Sequence, residues 1–217
     1  MFQTDPARTG SPSNATGPTG DVTASWRFET GDVVISSPAV VDSTVYIGSN
    51  DNNLYAVDAA TGNKQWAFET RDSVGSEPTV VDRTVYVGSS DNNLYAVDAA
   101  TGNGQWAFET PGPVTESPAV VDGTVYAGSN GGKLYAVDAA TGNKQWAFET
   151  GSMFQSSPAV VEGTVYVGSN DNNMYAVDAA TGNGQWAFET GGSVSSPAVV
   201  EGTVYVGSCD NNLYAVE

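Results

Sequence analysis

The sequence predicts an all-β fold: a five-bladed β-propeller of four-stranded antiparallel blades. The first observation behind this prediction is a segment at residues 56–66 that recurs at 96–106, 136–146 and 176–186 and changes only where Lys and Gly alternate. The second is the 40-residue spacing of the tryptophans, Trp26, Trp66, Trp106, Trp146 and Trp186. A fixed period near 40 with short strands is typical of propeller blades.

Each repeat divides into four short strands. In the first full repeat the β-branched and aromatic runs lie at residues 38–41, 44–49, 54–58 and 65–70, separated by turns rich in Asp, Asn and Gly. Such runs at this spacing predict strands joined by hairpins. No segment of helical length has an apolar period near 3.6, so we expect no helix to compete.

The blade count follows from the prolines that open each first strand, Pro38, Pro78, Pro118, Pro158 and Pro197. Residues 1–24 are rich in Pro, Gly, Ser, Thr and Asn and predict a flexible or surface-draped tail before a propeller at 25–217. Residues 26–30 read as a fourth strand and residues 211–217 as a third. We therefore predict that the N-terminal strand completes the last blade and closes the ring without an open edge.

The charge balance limits the partners. There are 25 Asp and Glu against 7 Lys and Arg, a net charge of −18, which disfavours nucleic acid because phosphates require a basic surface. Self-repulsion of this size favours a protein that works at high salt, as in halophilic archaea. No apolar run of about 18 residues exists, so no membrane span is predicted.

Some site chemistries are excluded by composition. Histidine is absent and Cys209 is the one cysteine, which removes intramolecular disulfides, His-containing metal sites and nucleophile–His dyads. The compartment stays open: cytoplasmic if Met1 is the true start, cell-surface or extracellular if a signal was removed.

The repeated motif Ala-x-Asp-x-x-Thr-Gly-x-x-x-Trp resembles the tryptophan-docking motif of the PQQ-like (pyrroloquinoline-quinone-type) β-propeller family. That family includes quinoprotein alcohol dehydrogenases and the propeller subunit of the outer-membrane protein assembly machinery. The resemblance implies that each indole packs on the backbone of an adjacent blade. The docking residues so implied are Trp26, Trp66, Trp106, Trp146, Trp186, Asp58, Asp98, Asp138, Asp178, Gly62, Gly102, Gly142 and Gly182. The family usually has seven or eight blades, whereas five are present here.

We predict no catalytic residue, no cofactor and no metal ligand. The motif aspartates occur in equivalent positions, whereas an active site needs one special place, so a structural turn role is favoured. The Asn- and Asp-rich turns fail the spacing of a calcium-binding loop and read as hairpin turns. A quinoprotein of the resembled family would bring calcium, a catalytic Asp and adjacent cysteines, and those cysteines are missing.

The repeats differ most in the links between one blade and the next, which we expect on the same face as the Asn-rich turns. The candidate binding face there comprises Ile35, Arg71, Glu77, Glu116, Met153 and Phe154. We predict a monomeric, non-catalytic binding or scaffold propeller that takes a protein or a small ligand at one mouth of its channel. The alternatives are a quinone- or metal-dependent oxidoreductase and a recently amplified repeat propeller without a settled function.

Overall fold

The computed structural model describes residues 20–217, which form nineteen strands in five antiparallel sheets. We number the sheets as blades 1 to 5 in chain order. Blade 1 contains β1 (Ala39–Val41), β2 (Thr44–Gly48), β3 (Asn53–Asp58) and β4 (Lys64–Glu69). Blade 2 contains β5 (Thr79–Val81), β6 (Thr84–Gly88), β7 (Asn93–Asp98) and β8 (Gly104–Glu109). The predicted tail at 1–24 lies mostly outside the described residues.

The remaining blades repeat this order. Blade 3 contains β9 (Ala119–Val121), β10 (Thr124–Ser129), β11 (Lys133–Asp138) and β12 (Lys144–Glu149). Blade 4 contains β13 (Ala159–Val161), β14 (Thr164–Gly168), β15 (Asn173–Asp178) and β16 (Gly184–Glu189). Blade 5 contains β17 (Ala198–Val200), β18 (Thr203–Ser208) and β19 (Asn212–Val216). The predicted all-β fold with four-stranded antiparallel sheets is thus confirmed for blades 1 to 4.

The first hairpin of every blade turns through two residues with positive φ. In blade 1 these are Asp42 (φ 47°) and Ser43 (φ 63°), and in blade 3 they are Asp122 (φ 48°) and Gly123 (φ 73°). Two-residue hairpins need this geometry because its twist matches that of the flanking strands. The turn therefore fixes the register in which β1 pairs with β2, with Val41 opposite Thr44.

The hydrophobic core lies between neighbouring blades. Leu54 of β3 is fully buried and belongs to one apolar cluster with Val74, Val85 and Val87 of the next repeat. Leu94, Leu134 and Met174 occupy the same position in blades 2 to 4 and are equally buried. Each blade thus completes its own core only when a second blade covers it.

The structure does not show the predicted ring closure, in which the N-terminal strand would pair with blade 5. Blade 5 has three strands, and within residues 20–217 no backbone hydrogen bond joins residues 25–30 to β19. Residues 26–30 lie against blade 1, where Trp26 donates to the carbonyl oxygen of Ala59 at 3.0 Å. In the described range no helix is long and apolar enough to cross a membrane.

Candidate binding face and docking turns

The third turn of each intact blade is organised by its aspartate. Asp58 Oδ1 accepts hydrogen bonds from the Thr61 backbone N–H at 2.8 Å and the Thr61 hydroxyl at 2.7 Å. These two bonds hold the pKa of Asp58 below its usual range. Asp98, Asp138 and Asp178 accept from Thr101, Thr141 and Thr181 in the same way. One oxygen of every motif aspartate is therefore engaged within its own turn.

The same turn receives the indole of the preceding blade. Trp66 Nε1–H donates to the carbonyl oxygen of Ala99 at 3.0 Å, and its ring covers Gly102, which has a φ of +75°. Equivalent bonds run from Trp26 to Ala59, from Trp106 to Ala139 and from Trp146 to Ala179. Trp186 has no such partner carbonyl in residues 20–217 and is 37% exposed.

The second turn carries a carboxylate–tyrosine pair that sequence reasoning missed. Tyr55 Oη donates to Asp51 Oδ2 at 2.7 Å, and Gly31 N–H donates to the same oxygen at 2.6 Å. Partial burial raises the pKa of Asp51, but these bonds and those from Asn53 outweigh it, so the net pKa lies below its usual range. Burial and the bond to Asp51 raise the pKa of Tyr55 to about 12.

The signal for this pair was an Asp followed by Tyr four positions later. It recurs as Asp91–Tyr95, Asp171–Tyr175 and Asp210–Tyr214, each joined by a short hydrogen bond. In blade 3, Gly131 stands in place of the aspartate, so Tyr135 has no carboxylate partner in its own turn.

The link loops and the second turns lie on one face, as the strand directions predict. Asn50 N–H donates to the Val33 carbonyl at 2.9 Å, and Asn130 N–H donates to that of Pro113 at 2.8 Å. The docking turns lie beside the first hairpin turns at the other ends of the strands, where Ala59 N–H donates to the Ser43 carbonyl. We call the first of these surfaces the loop face.

The candidate binding residues divide into three groups on this face. Ile35 and Met153 are 64% and 39% exposed, and Arg71 is also exposed. The prediction that Phe154 belongs to the binding face is wrong. Phe154 is fully buried between blades 3 and 4, because it occupies the position that valine holds in the other repeats. It is therefore not available as a binding residue.

Glu77 and Glu116 are half-buried neighbours. Glu77 accepts from the Ser37 hydroxyl at 2.6 Å and from the Ser117 hydroxyl at 3.0 Å, so it links the starts of blades 1 and 3. Burial, and then the charge of Glu77, raise the pKa of Glu116. The sequence placed both glutamates in the variable links but did not indicate that they would lie near each other.

The described residues contain no group of three or more His, Cys, Asp or Glu side chains that could hold a metal ion. The repeated carboxylates lie one to a turn, each near hydroxyl or amide donors. Glu77 is near Glu116, because it accepts from the Ser117 hydroxyl and its charge raises the pKa of Glu116.

Comparison with known proteins identifies the family of this architecture. Residues 18–217 match the model of the family described as outer membrane protein assembly factor BamB. The chain belongs to this family. No curated protein sequence matches the chain significantly.

Solved structures show the same fold. BamB from Moraxella catarrhalis is 24% identical with a TM-score of 0.76, and the match covers 87% of this chain and 59% of that one. The computationally designed Ika8 protein is 18% identical with a TM-score of 0.75, over 82% and 56% of the two chains. A quinohemoprotein alcohol dehydrogenase, ADHIIG from Pseudomonas putida HK5, is 20% identical with a TM-score of 0.75, over 88% and 41%. These identities show a β-propeller fold alone, and the chain spans less than two thirds of each of these structures.

Proposed function

We propose that this chain is a non-catalytic binding scaffold whose loop face receives a protein partner. The observation that carries the proposal is a difference in location between residues that recur in every intact blade and residues that occur in one repeat only. The repeated polar residues, Asp58 and its equivalents above all, are engaged in hydrogen bonds that build the turns. The singular residues, including Arg71, Glu77, Glu116 and Met153, belong to the links on the loop face.

The chemistry of the loop face suits a protein surface. Exposed apolar side chains at Ile35 and Met153 lie on the same face as the charged Arg71 and the half-buried Glu77 and Glu116. Loops on a rigid scaffold are where binding residues gather, and apolar residues beside charged ones are typical of interface cores and rims. The family description, an assembly factor, favours a protein over a small ligand. Ring closure by residues 25–30, a monomeric state and an origin in a halophile stay predictions from the sequence.

The test compares two single variants on opposite faces, one that replaces an apolar side chain by a charged one and one that reverses a charge. Met153→Glu alters the loop face, whereas Lys144→Glu alters an exposed residue beside a docking turn. We expect a partner identified by mass spectrometry from a high-salt lysate to bind the purified wild type and Lys144→Glu equally, and to bind Met153→Glu at least about tenfold more weakly, a difference of about 1.4 kcal/mol. Equal binding by all three proteins would place the partner elsewhere.

A quinone-dependent oxidoreductase is the second candidate, because the fold is also that of the Pseudomonas dehydrogenase. Two observations weigh against it: residues 20–217 hold no cluster of three or more acidic side chains for a calcium ion, and a single cysteine cannot form the adjacent pair of the quinoproteins. Saturable binding of pyrroloquinoline quinone in the presence of calcium would favour this candidate over the scaffold. The near-identity of the blades favours the third alternative, a recently amplified propeller without a settled function. Failure to recover any partner of the loop face from the lysate would support this alternative.

A further inference from the structure

The four interfaces between blades share one design. A residue from each link loop packs against a glycine of the preceding blade: Val74 on Gly48, Val114 on Gly88, Phe154 on Gly128 and Val194 on Gly168. Its backbone N–H bonds to that blade as well, as Val74 does to the Ser49 carbonyl at 3.0 Å. Glycine is required because a β-carbon at this position would overlap the incoming residue.

The outer side of blade 1 exposes one half of this interface. Val34 is 45% exposed, whereas Val74, Val114, Phe154 and Val194, which occupy the same repeat position, are at most 2% exposed. Val45 and Ile47 are only half-buried, although Val85 and Val87 at the same positions are fully buried. This side of blade 1 is therefore a blade surface without its neighbour.

The outer side of blade 5 exposes the other half. Leu213 is 77% exposed, whereas Leu54, Leu94, Leu134 and Met174 are fully buried at the same position. Gly207 occupies the place of Gly48, but no residue of a following link packs on it: the one atom near its β-carbon position is the Ser195 hydroxyl oxygen, at 3.2 Å. By the repeat, the position over Gly207 is where a residue such as Val34 would pack.

Residues 26–30 complete the match. They lie on blade 1 as a fourth strand lies on the next blade: Trp26 bonds to Ala59, and the Phe28 ring meets the Tyr55 ring edge-on at 5.2 Å, as Phe68 meets Tyr95 at 5.3 Å. In blade 1 the fourth strand pairs with Asn53 opposite Glu69 and Leu54 opposite Phe68. The same register on β19 sets Asn212 opposite Glu29 and Leu213 opposite Phe28.

We propose that the outer side of blade 1 in one copy of this chain docks onto the outer side of blade 5 in a second copy, with residues 26–30 as the fourth strand of that blade. The contact would repeat the interface already present four times within the chain, so the blades need not change their relative positions. This contact takes the place of the ring closure and the monomeric state that the sequence predicted, and within residues 20–217 no backbone hydrogen bond joins residues 25–30 to β19 of the same chain. The contact joins different surfaces, head to tail, and can therefore extend to further copies.

Disulfide trapping distinguishes a contact between copies from closure within one. In a Cys209→Ser background, Glu29→Cys and Asn212→Cys are prepared as two separate proteins, mixed at high salt and oxidised. Directly opposite residues on antiparallel strands lie close enough for a disulfide. We expect a covalent heterodimer on a non-reducing gel from the mixture, and no heterodimer when residue 212 is left as Asn. The positive control is the double variant Asn53→Cys/Glu69→Cys, which has the same register inside blade 1 and should form an intrachain disulfide.

The outcome that overturns the proposal is equally defined. An intrachain disulfide in the double variant Glu29→Cys/Asn212→Cys, with no product from the mixed single variants, would show that the ring closes within one chain. No disulfide from either experiment would show that the two surfaces do not meet. Light scattering provides the second readout: the mass should exceed that of one chain at high salt, and Leu213→Glu should return it to the monomer. Val161→Glu is the matched control, because Val161 is 38% exposed and lies away from both surfaces.

Discussion

Gly102 lies directly beneath the indole of Trp66, so close that a β-carbon on Gly102 would be 2.7 Å from the ring atom Cδ2. The glycine is needed twice, for its φ of +75° and for this contact. Gly163 has nearly the same φ, +76°, but nothing lies within 4 Å of its β-carbon position.

The first prediction uses this pair as a matched comparison. Gly163→Ala should destabilise the protein by about 1 kcal/mol, the cost of a left-handed backbone with a side chain. Gly102→Ala should cost about 1–3 kcal/mol more, because the indole must move. Urea unfolding of both variants, with unchanged m-values, measures the difference. Equal costs would mean that the indole yields freely at this contact.

The second prediction concerns the first hairpin turn of blade 2. Arg83 has a φ of 63°, where blades 3 to 5 have glycine. Arg83→Gly should stabilise the protein by about 1 kcal/mol through relief of this strain, and Ser43→Gly, at a φ of 63° in blade 1, should act similarly. Thermal unfolding of each variant tests it. Destabilisation by Arg83→Gly alone would reveal a role for the guanidinium, such as its charge near Asp98.

The third prediction concerns acid. The pKa of Asp91 is lowered because bonds from Tyr95, Arg71 N–H and Asn93 outweigh the opposing effect of burial. A depressed carboxyl pKa stabilises the fold above the unfolded pKa of about 4, and that stability is lost as pH falls through the folded value. Tyr95→Phe should cost about 1 kcal/mol at pH 7, since the bond is to a charged but partly exposed group. It should also make the loss of stability at acid pH less steep.

The chain offers its own control for that experiment. Tyr135→Phe removes the equivalent hydroxyl from blade 3, where Gly131 replaces the aspartate. Its cost at pH 7 should be smaller, and its acid dependence should match that of the wild type. Identical pH profiles for the two variants would contradict the role given to the Asp91–Tyr95 bond.

The fourth prediction concerns Glu116, which stands where Ser76 and Ser156 accept hydrogen bonds from Gly88 and Gly168. Burial and then Glu77 raise the pKa of Glu116, so its ionisation opposes folding as pH rises from the unfolded to the folded pKa. Glu116→Ser should therefore stabilise the protein at pH 7, and the gain should fade below about pH 4. If Glu116 also contacts the proposed partner, the more stable variant should bind it more weakly. A pH-independent gain would point to packing instead of charge.

The fifth prediction concerns salt. With a net charge of −18, the folded chain repels itself. Raising KCl from about 0.1 M, where the screening length is about 10 Å, to about 1 M, where it is about 3 Å, should raise the melting temperature. A melting temperature that stays constant or falls would remove the argument for adaptation to high salt.

The strands and turns could be predicted from the sequence because they depend on local residues. The turn at Asp42 and Ser43 and the pairing of Val41 with Thr44 follow from neighbours in the chain. The approach of Glu77 to Glu116 does not, because it depends on how two blades are placed against each other. Phe154 looked exposed beside Met153, yet its alignment with Val74 and Val114 was the available sign that it would be buried. Whether blade 1 meets blade 5 depends on the rotation of each blade relative to the next, summed over the four interfaces. No local sequence pattern indicates the size of these rotations.

The near-identity of the docking turns has a consequence for how the chain finds its order. The indole of Trp66 covers Gly102, but Gly142 and Gly182 present turns with the same residues and similar φ. The docking turns therefore hardly distinguish one blade from another, so a blade can pack on the wrong neighbour with nearly the same free energy as on the correct one. Such competing contacts are the condition for kinetic traps in the folding of repeat proteins. The correct order is favoured chiefly by the short links, because closing a longer loop costs more entropy. Two interfaces differ from the others and favour their own partners: Phe154 packs on Gly128 where other repeats use valine, and Met174 replaces leucine between blades 4 and 5.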